Sequence, residues 1–206
     1  METLNTLLPI LIPLIIIMDP LGNLLFFLLF TKQNTPAEKG RMAVITSVSA
    51  CLILFFFAFT GDFVLHYFGI GLSAFQVAGG FIFFVYALQM LHLIPSGLKT
   101  TIEEEEEGIT KTSAALVPMA TPMLAGPGAI TAILVWKLNP DNPVNTPLLL
   151  IAITIACFTV FNVFYFGKRI SKVLGVGGIR VITRLMGLLL AVIAVQFMIN
   201  GFKQIQ

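Results

Sequence analysis

One carboxylate, Asp19, lies in the first apolar stretch of the chain, within the sequence IIIMDPLGNLLFF. It is the only acidic residue between Leu4 and Phe30, a span long enough to cross a bilayer. Burying a carboxylate there costs about 2.5–3.5 kcal/mol on insertion scales, and a proline in a helix interior costs about 3 kcal/mol more. We therefore expect a new helix to begin here, with Asp19 as its N-cap and Pro20 as its first residue.

A similar interruption, in the sequence TPMLAGPGAI, falls in the fourth apolar stretch. Gly126 can serve as N-cap there, with Pro127 as the first helical residue. Irregular backbone at membrane depth is tolerated only where it is buried in protein or lines a polar cavity. The start of a helix favours an anion, because it presents unpaired N–H groups and the positive end of the dipole. Gly126 and Gly128 leave the backbone bare, so a carboxylate could approach Gly126–Ala129 closely.

Bare amides on one wall and a carboxylate on the other suit a zwitterion. An amino acid would fit with its carboxylate toward Gly126–Ala129 and its ammonium toward Asp19. The predicted substrate-contacting residues are Asp19, Pro20, Gly22, Asn23, Thr121, Ala125, Gly126, Gly128 and Ala129. Two alternatives stay open: Asp19 only caps its helix, paired with Arg184, and the glycines only allow close helix packing.

Five polar residues are candidates for coupling or gating: Asp19, Arg184, Gln89, Gln196 and Asn162. Hydrogen bonding between helices is the alternative role for the three amide side chains, and snorkelling to the interface is the alternative for Arg184. Only Asp19 lies deep, and the sequence contains no HExxH or GxSG motif, so we do not expect an enzyme. We expect no metal site and no cofactor.

The composition indicates an all-α membrane protein. Only 11% of the 206 residues are charged and 57% are hydrophobic, whereas soluble domains carry about 25% charged residues. Six runs are long enough to span a bilayer. The predicted spans are Leu7–Phe30, Met42–Thr60, Leu72–Leu91, Leu116–Trp136, Pro147–Phe166 and Ile182–Asn200.

The distribution of basic residues predicts the orientation of these spans. Ten of the twelve Lys and Arg residues fall in the loops after the first, third and fifth spans. The positive-inside rule puts those loops in the cytoplasm and both termini outside. The third loop carries five consecutive glutamates at positions 103–107, which we interpret as part of a solvated linker over 99–112.

When the sequence is aligned with itself at an offset of 107 residues, several proline, glycine, alanine and glutamine positions match without a gap. The aligned pairs include Asp19-Pro20 with Gly126-Pro127, Gly71 with Gly178, Gly80 with Gly187, Ala87 with Ala194, and Gln89 with Gln196. Because each half has an odd number of spans, the second half must enter the membrane from the opposite side. The predicted fold is six transmembrane helices as two inverted-topology three-helix repeats, 1–98 and 113–206, with helices 1 and 4 broken near the midplane.

The sequence resembles the MarC family of inner-membrane proteins over nearly its whole length. The resemblance is carried by MDPLGN at Met18–Asn23, AGPGAI at Ala125–Ile130 and RLMGL at Arg184–Leu188. The family is grouped with LysE-type transporters, and its SnatA-like members move small neutral amino acids such as glycine and alanine. The resemblance therefore implies a secondary transporter of small neutral amino acids in the inner membrane, coupled to protons and working by alternating access.

The expected partners are a small zwitterionic substrate, a coupling ion and the lipid bilayer. The ion is a proton or, alternatively, sodium, and association into a homo-oligomer is left open. No nucleic acid is expected, because the basic residues are not clustered on a soluble domain. The alternative functions are a channel or efflux pore for small polar solutes, or a structural or regulatory membrane protein without transport activity.

Overall fold

The computed structural model describes residues 2–94, 120, 124–138 and 144–204. The regular elements in these ranges are helices, which confirms the all-α prediction. They are α1 (Glu2–Met18), α2 (Pro20–Phe30), α3 (Pro36–Tyr67), α4 (Leu72–Met90), α5 (Pro127–Leu138), α6 (Thr146–Tyr165) and α7 (Gly167–Lys203). The predicted acidic linker lies outside the described residues.

Five helical stretches in the described ranges are long and apolar enough to cross a membrane. The first combines most of α1 with α2, as Thr6–Phe30, and the others are α3, α4, α6 and α7. Helix α5 is shorter and belongs to the predicted fourth span, most of whose first half lies outside the described ranges. Large apolar side chains on the outer face of α3, including Phe56, Phe59 and Phe63, are exposed, as expected for contact with lipid.

Helices α3 and α7 extend furthest beyond their predicted spans. Helix α3 begins at Pro36, where Thr35 and Glu38 form a capping box with reciprocal side-chain to backbone hydrogen bonds. Helix α7 begins at Gly167, so most of the predicted fifth loop is helical and its basic residues lie on a helix. A kink at Gly175 (φ 63°, ψ 172°) divides α7, because glycine can adopt this conformation without a steric penalty.

Helices α4 and α7 form the most extensive helix pair and run antiparallel. At Gly80, an added Cβ would lie 2.8 Å from the carbonyl oxygen of Ala194. At Gly187, an added Cβ would lie 2.8 Å from Cβ of Met90 and 3.3 Å from the carbonyl oxygen of Ala87. The two glycines therefore allow the helix backbones to approach closely, as small residues do in membrane helix pairs.

The buried apolar residues form two clusters. The larger joins α1, α2, α3, α5, α6 and Ile179 of α7, and it includes the stacked pair Phe27 and Phe164 with ring centroids 4.6 Å apart. The smaller joins α4, α5 and α7 with Ile16 of α1. Ile17, at the end of α1, packs against both clusters.

Candidate functional site

Asp19 is the single residue between α1 and α2. Its backbone is left-handed (φ 39°, ψ 65°), a conformation that Asp and Asn tolerate better than most side chains. The Oδ1 atom of Asp19 accepts a hydrogen bond from the amide of Gly22 at 3.0 Å. Nδ2 of Asn23 donates to the carbonyl oxygen of Met18 at 2.9 Å. The interruption therefore satisfies backbone groups on both sides with local side chains, and the helix resumes at Pro20 as the sequence predicts.

Gly22 lies in the first turn of α2, directly beside the Asp19 carboxylate. A Cβ added at position 22 would collide with Oδ2 of Asp19. The capping geometry thus requires glycine at this position.

The start of α5 is the second interruption. Ala125 donates to the carbonyl oxygen of Ala120 at 3.0 Å, and the carbonyl oxygen of Gly126 accepts from the amide of Ile130 at 3.1 Å. The amides of Gly128 and Ala129 precede the first donor of the α5 ladder, so they have no acceptor within that helix.

Gly128 is closely packed as well as positioned in the first turn of α5. An added Cβ would lie 3.1 Å from Cε1 of Phe83 and 3.4 Å from Cγ2 of Ile17. Close packing, the alternative that the sequence left open for the glycines, therefore holds at Gly128. It also brings α1, α4 and α5 together at one depth.

Both interruptions line one cavity of about 660 Å³. Its wall is built from the end of α1, the first half of α2, the second half of α4, the start of α5 and the middle of α7. The polar side chains in the wall are Asp19, Asn23, Tyr86, Gln89, His92, Arg180 and Thr183. The apolar part of the wall includes Ile17, Phe83, Leu124 and Leu190. A carboxylate and the buried start of α5 thus line one largely apolar cavity.

The cavity brings together most, but not all, of the predicted residues. Asp19, Gly22, Asn23, Gly126, Gly128, Ala129 and Gln89 line it. Pro20 and Ala125 are buried beside it without belonging to its wall, and Thr121 lies outside the described residues.

Three predicted coupling residues lie elsewhere. Arg184 is exposed on α7, and within the described ranges no ion pair joins it to Asp19. Gln196 donates to Oδ1 of Asn200 at 2.7 Å, and Asn162 donates to the carbonyl oxygen of Phe158 at 2.7 Å. Both amides bond within their own helices, and in the described part of the chain neither forms the interhelical hydrogen bond considered for it.

Arg180 and Thr183 are cavity residues that sequence reasoning missed. They precede the predicted sixth span or lie at its edge, in a stretch predicted to be largely loop. Because that stretch is helical, residues 180 and 183 share one face with residues 187 and 190. Their helical spacing was the sequence feature that could have identified them as cavity residues.

The helices and the cavity define a class: a multi-span integral membrane protein with a largely apolar cavity among its helices that holds a few polar side chains. The chain belongs to the MarC family of integral membrane proteins, whose sequence profile matches residues 4–206. The predicted family is thereby confirmed.

Similar proteins occur in both archaea and bacteria. The chain is 31% identical to a UPF0056 membrane protein of Pyrococcus abyssi over 203 residues, covering 98% of this chain and 97% of that protein. It is 35% identical to a UPF0056 membrane protein of Aquifex aeolicus over 192 residues, covering 93% and 90%. It is 31% identical to the UPF0056 membrane protein YhcE of Escherichia coli over 194 residues, covering 94% and 90%. No solved structure matches the chain.

Proposed function

We propose that this protein is a secondary transporter that moves small neutral amino acids across the inner membrane by alternating access, driven by protons. The observation that carries the proposal is the cavity that both Asp19 and the start of α5 line. Concave sites with apolar walls and a few convergent polar groups are typical of small-molecule binding.

The polar groups of the cavity match the two charges of an amino acid. One oxygen of Asp19 is engaged by Gly22, and an ionised carboxylate has further lone pairs that can accept from an ammonium group. The amides of Gly128 and Ala129, with the positive end of the α5 dipole, would receive the carboxylate. Phe83, packed against Gly128, limits the space left for a side chain and so favours substrates of glycine or alanine size.

Pairs of contacts related by the 107-residue shift support the inverted repeat. The contact of Gly80 with Ala194 becomes the contact of Gly187 with Ala87 when each position is exchanged for its counterpart. Helices α2 and α5 likewise begin at the aligned prolines Pro20 and Pro127. A two-fold axis between the halves would generate such reciprocal contacts, and inverted repeats of this kind are common in secondary transporters.

The cavity reaches one end of the helix bundle. It includes His92 and Arg180, at the end that carries the Lys- and Arg-rich segments, which we assign to the cytoplasm. On the opposite side of Phe83, the rings of Phe83 and Phe197 lie 5.2 Å apart and those of Trp136 and Phe197 lie 6.5 Å apart. We assign this arrangement to the inward-facing state, with the aromatic contacts closing the outer path.

Gln76 supplies a marker for the opposite state. It is the counterpart of Thr183 under the 107-residue shift. Gln76 is 3% exposed, and no described residue forms a hydrogen bond with its Oε1. If the two repeats exchanged their conformations, Gln76 would line an outward-facing cavity in the way that Thr183 lines the present one. A cysteine at position 76 should then react with a membrane-impermeant reagent from outside only when the transporter turns outward.

Liposomes containing the purified protein test the function directly. We expect labelled alanine and glycine to accumulate against a concentration gradient when a pH gradient is imposed, and larger amino acids to be excluded. Replacing Asp62, an exposed carboxylate on α3, by asparagine provides a matched control for changes at Asp19. Equilibration without accumulation would instead identify a channel, since broken helices also line selectivity filters.

A further inference from the structure

Helix α7 presents two polar residues to the cavity that the proposed central site does not use. Arg180 and Thr183 are three residues apart on one helix, so they lie on the same face, and both belong to the cavity wall. Neither was assigned a role by the sequence, and neither contacts the interruptions at Asp19 or Gly126 through a hydrogen bond in the described part of the chain.

The hydroxyl group of Thr183 is buried. Thr183 is 9% exposed, and its Oγ1 has no hydrogen-bond partner among the residues that the structure describes. Other threonines satisfy the hydroxyl by donating to the carbonyl oxygen four residues earlier, and these are Thr31, Thr60, Thr131, Thr154 and Thr159. A buried polar atom without a partner is unfavourable and rare. A ligand in the cavity would supply the missing partner of Thr183.

Arg180 stands one turn before Thr183 and forms no ion pair with any residue in the described ranges. Its guanidinium carries a permanent positive charge and several donors in a planar fork, which suits carboxylate recognition. A guanidinium and a hydroxyl on one helix face therefore match the carboxylate of a small solute rather than its ammonium.

This pair lies at a different depth from the central site. Because Gly187 packs against Ala87 and Met90, Thr183, one turn earlier on α7, lies level with the end of α4. Phe83, which packs against Gly128 at the central site, is two turns back along α4 from Met90. That separation is about 10 Å at 1.5 Å per residue, so one glycine or alanine molecule cannot occupy both places.

We propose that Arg180 and Thr183 form a second binding station, specific for a carboxylate, between the central site and the cytoplasmic end of the cavity. As a station on the path of an amino acid, it rests on the proposed transport function. Asp19 recognises the ammonium at the centre, and Arg180 with Thr183 holds the carboxylate as the substrate enters or leaves.

The two halves of alanine provide separate probes for these two positions. Propionate keeps the carboxylate and lacks the ammonium, and ethylamine keeps the ammonium and lacks the carboxylate. Binding of each to the purified full-length protein is measured by ligand-observed NMR titration. We expect Arg180→Gln to weaken propionate binding by about tenfold or more and Thr183→Val by about threefold or more, since each removes a hydrogen bond to a charged group. Ethylamine binding should stay unchanged in both variants.

Controls separate this station from general effects on charge and folding. Arg184→Gln removes an exposed arginine one turn further along α7, outside the cavity, and should leave propionate binding unchanged. Thr183→Ser keeps the hydroxyl and should bind propionate like the wild type. Asp19→Asn should weaken ethylamine binding, because it removes the negative charge that the ammonium group would meet.

Unchanged propionate binding in both Arg180→Gln and Thr183→Val would overturn the proposed station, as would equal weakening by Arg184→Gln. Loss of propionate binding in Asp19→Asn would also overturn it, because propionate would then be bound beside Asp19 and not at Arg180 and Thr183. Propionate binding that depends on Arg180, in a wild-type protein that does not transport alanine, would support the carboxylate site and refute the proposed transport function.

Discussion

Replacement of Asp19 separates the capping of α2 from a role in transport. Asn keeps an oxygen that can accept from the amide of Gly22, and it tolerates the left-handed backbone of position 19. Asp19→Asn should therefore lose only the favourable interaction of a negative charge with the start of α2, about 0.3–1 kcal/mol. Ala at this position loses the cap, about 0.5–2 kcal/mol, and also bears a left-handed backbone cost of about 1–2 kcal/mol.

The thermal stability of the purified protein should thus fall little in Asp19→Asn and clearly in Asp19→Ala. Transport should fall sharply in both, because a charge-assisted contact with the substrate ammonium contributes about 1.5–3 kcal/mol, which corresponds to about 10- to 100-fold. Thermal unfolding in detergent and alanine uptake into liposomes measure the two effects, with Asp62→Asn as the control. Uptake at the wild-type level by a stable Asp19→Asn protein would show that Asp19 acts only as a helix cap.

A proton-coupling role for Asp19 has its own signature. If Asp19 carries the coupled proton, Asp19→Asn should abolish the response of uptake to a pH gradient while exchange of internal for external alanine continues. Loss of exchange and of net uptake to the same extent would instead indicate direct binding of the substrate.

Three further changes test the packing and the topology. Gly80→Ala should destabilise the protein by about 1–3 kcal/mol, because the new Cβ would lie 2.8 Å from a carbonyl oxygen of α7. Gly177→Ala is the control and should be neutral or stabilising, because a Cβ added there would meet no atom within 4 Å. Gly22→Ala should displace the Asp19 carboxylate and lower both stability and uptake without removing a charge, so unchanged uptake would refute the capping geometry. A cysteine added at the C-terminus should react with an impermeant reagent on intact cells and one within 103–107 should not, and the reverse pattern would overturn the orientation.

Local chemistry made several features predictable from the sequence. An aspartate followed by a proline specifies a helix start, because the groups that form the cap lie within four residues of each other along the chain. The structure has Asp19 and Pro20 in that arrangement. The apolar composition likewise indicates membrane helices. In a bilayer, a single chain segment can satisfy its backbone N–H and C=O groups only by the hydrogen bonds within a helix. The motifs around both interruptions also indicated the family.

The extent of α7 was less predictable. Gly175 and the charged residues around it are typical of a loop, yet the chain continues as a helix across a single glycine with φ 63°. Helix boundaries of this kind depend on packing. The first part of α7 lies against α2 at Gly167 and Leu24, and Ile179 belongs to the larger buried cluster, so these contacts stabilise turns which propensity alone does not favour.

The cavity itself was decided by tertiary structure. Whether a polar residue faces a cavity, lipid or its own helix depends on the rotation and depth of each helix, and long-range packing sets both. The contact of Gly187 with Ala87 sets the position of α7 against α4 and so places Thr183 and Arg180, rather than Arg184, in the cavity wall. The sequence by itself determined which residues could bind a zwitterion, and only the packing of distant helices decided which of them share one space.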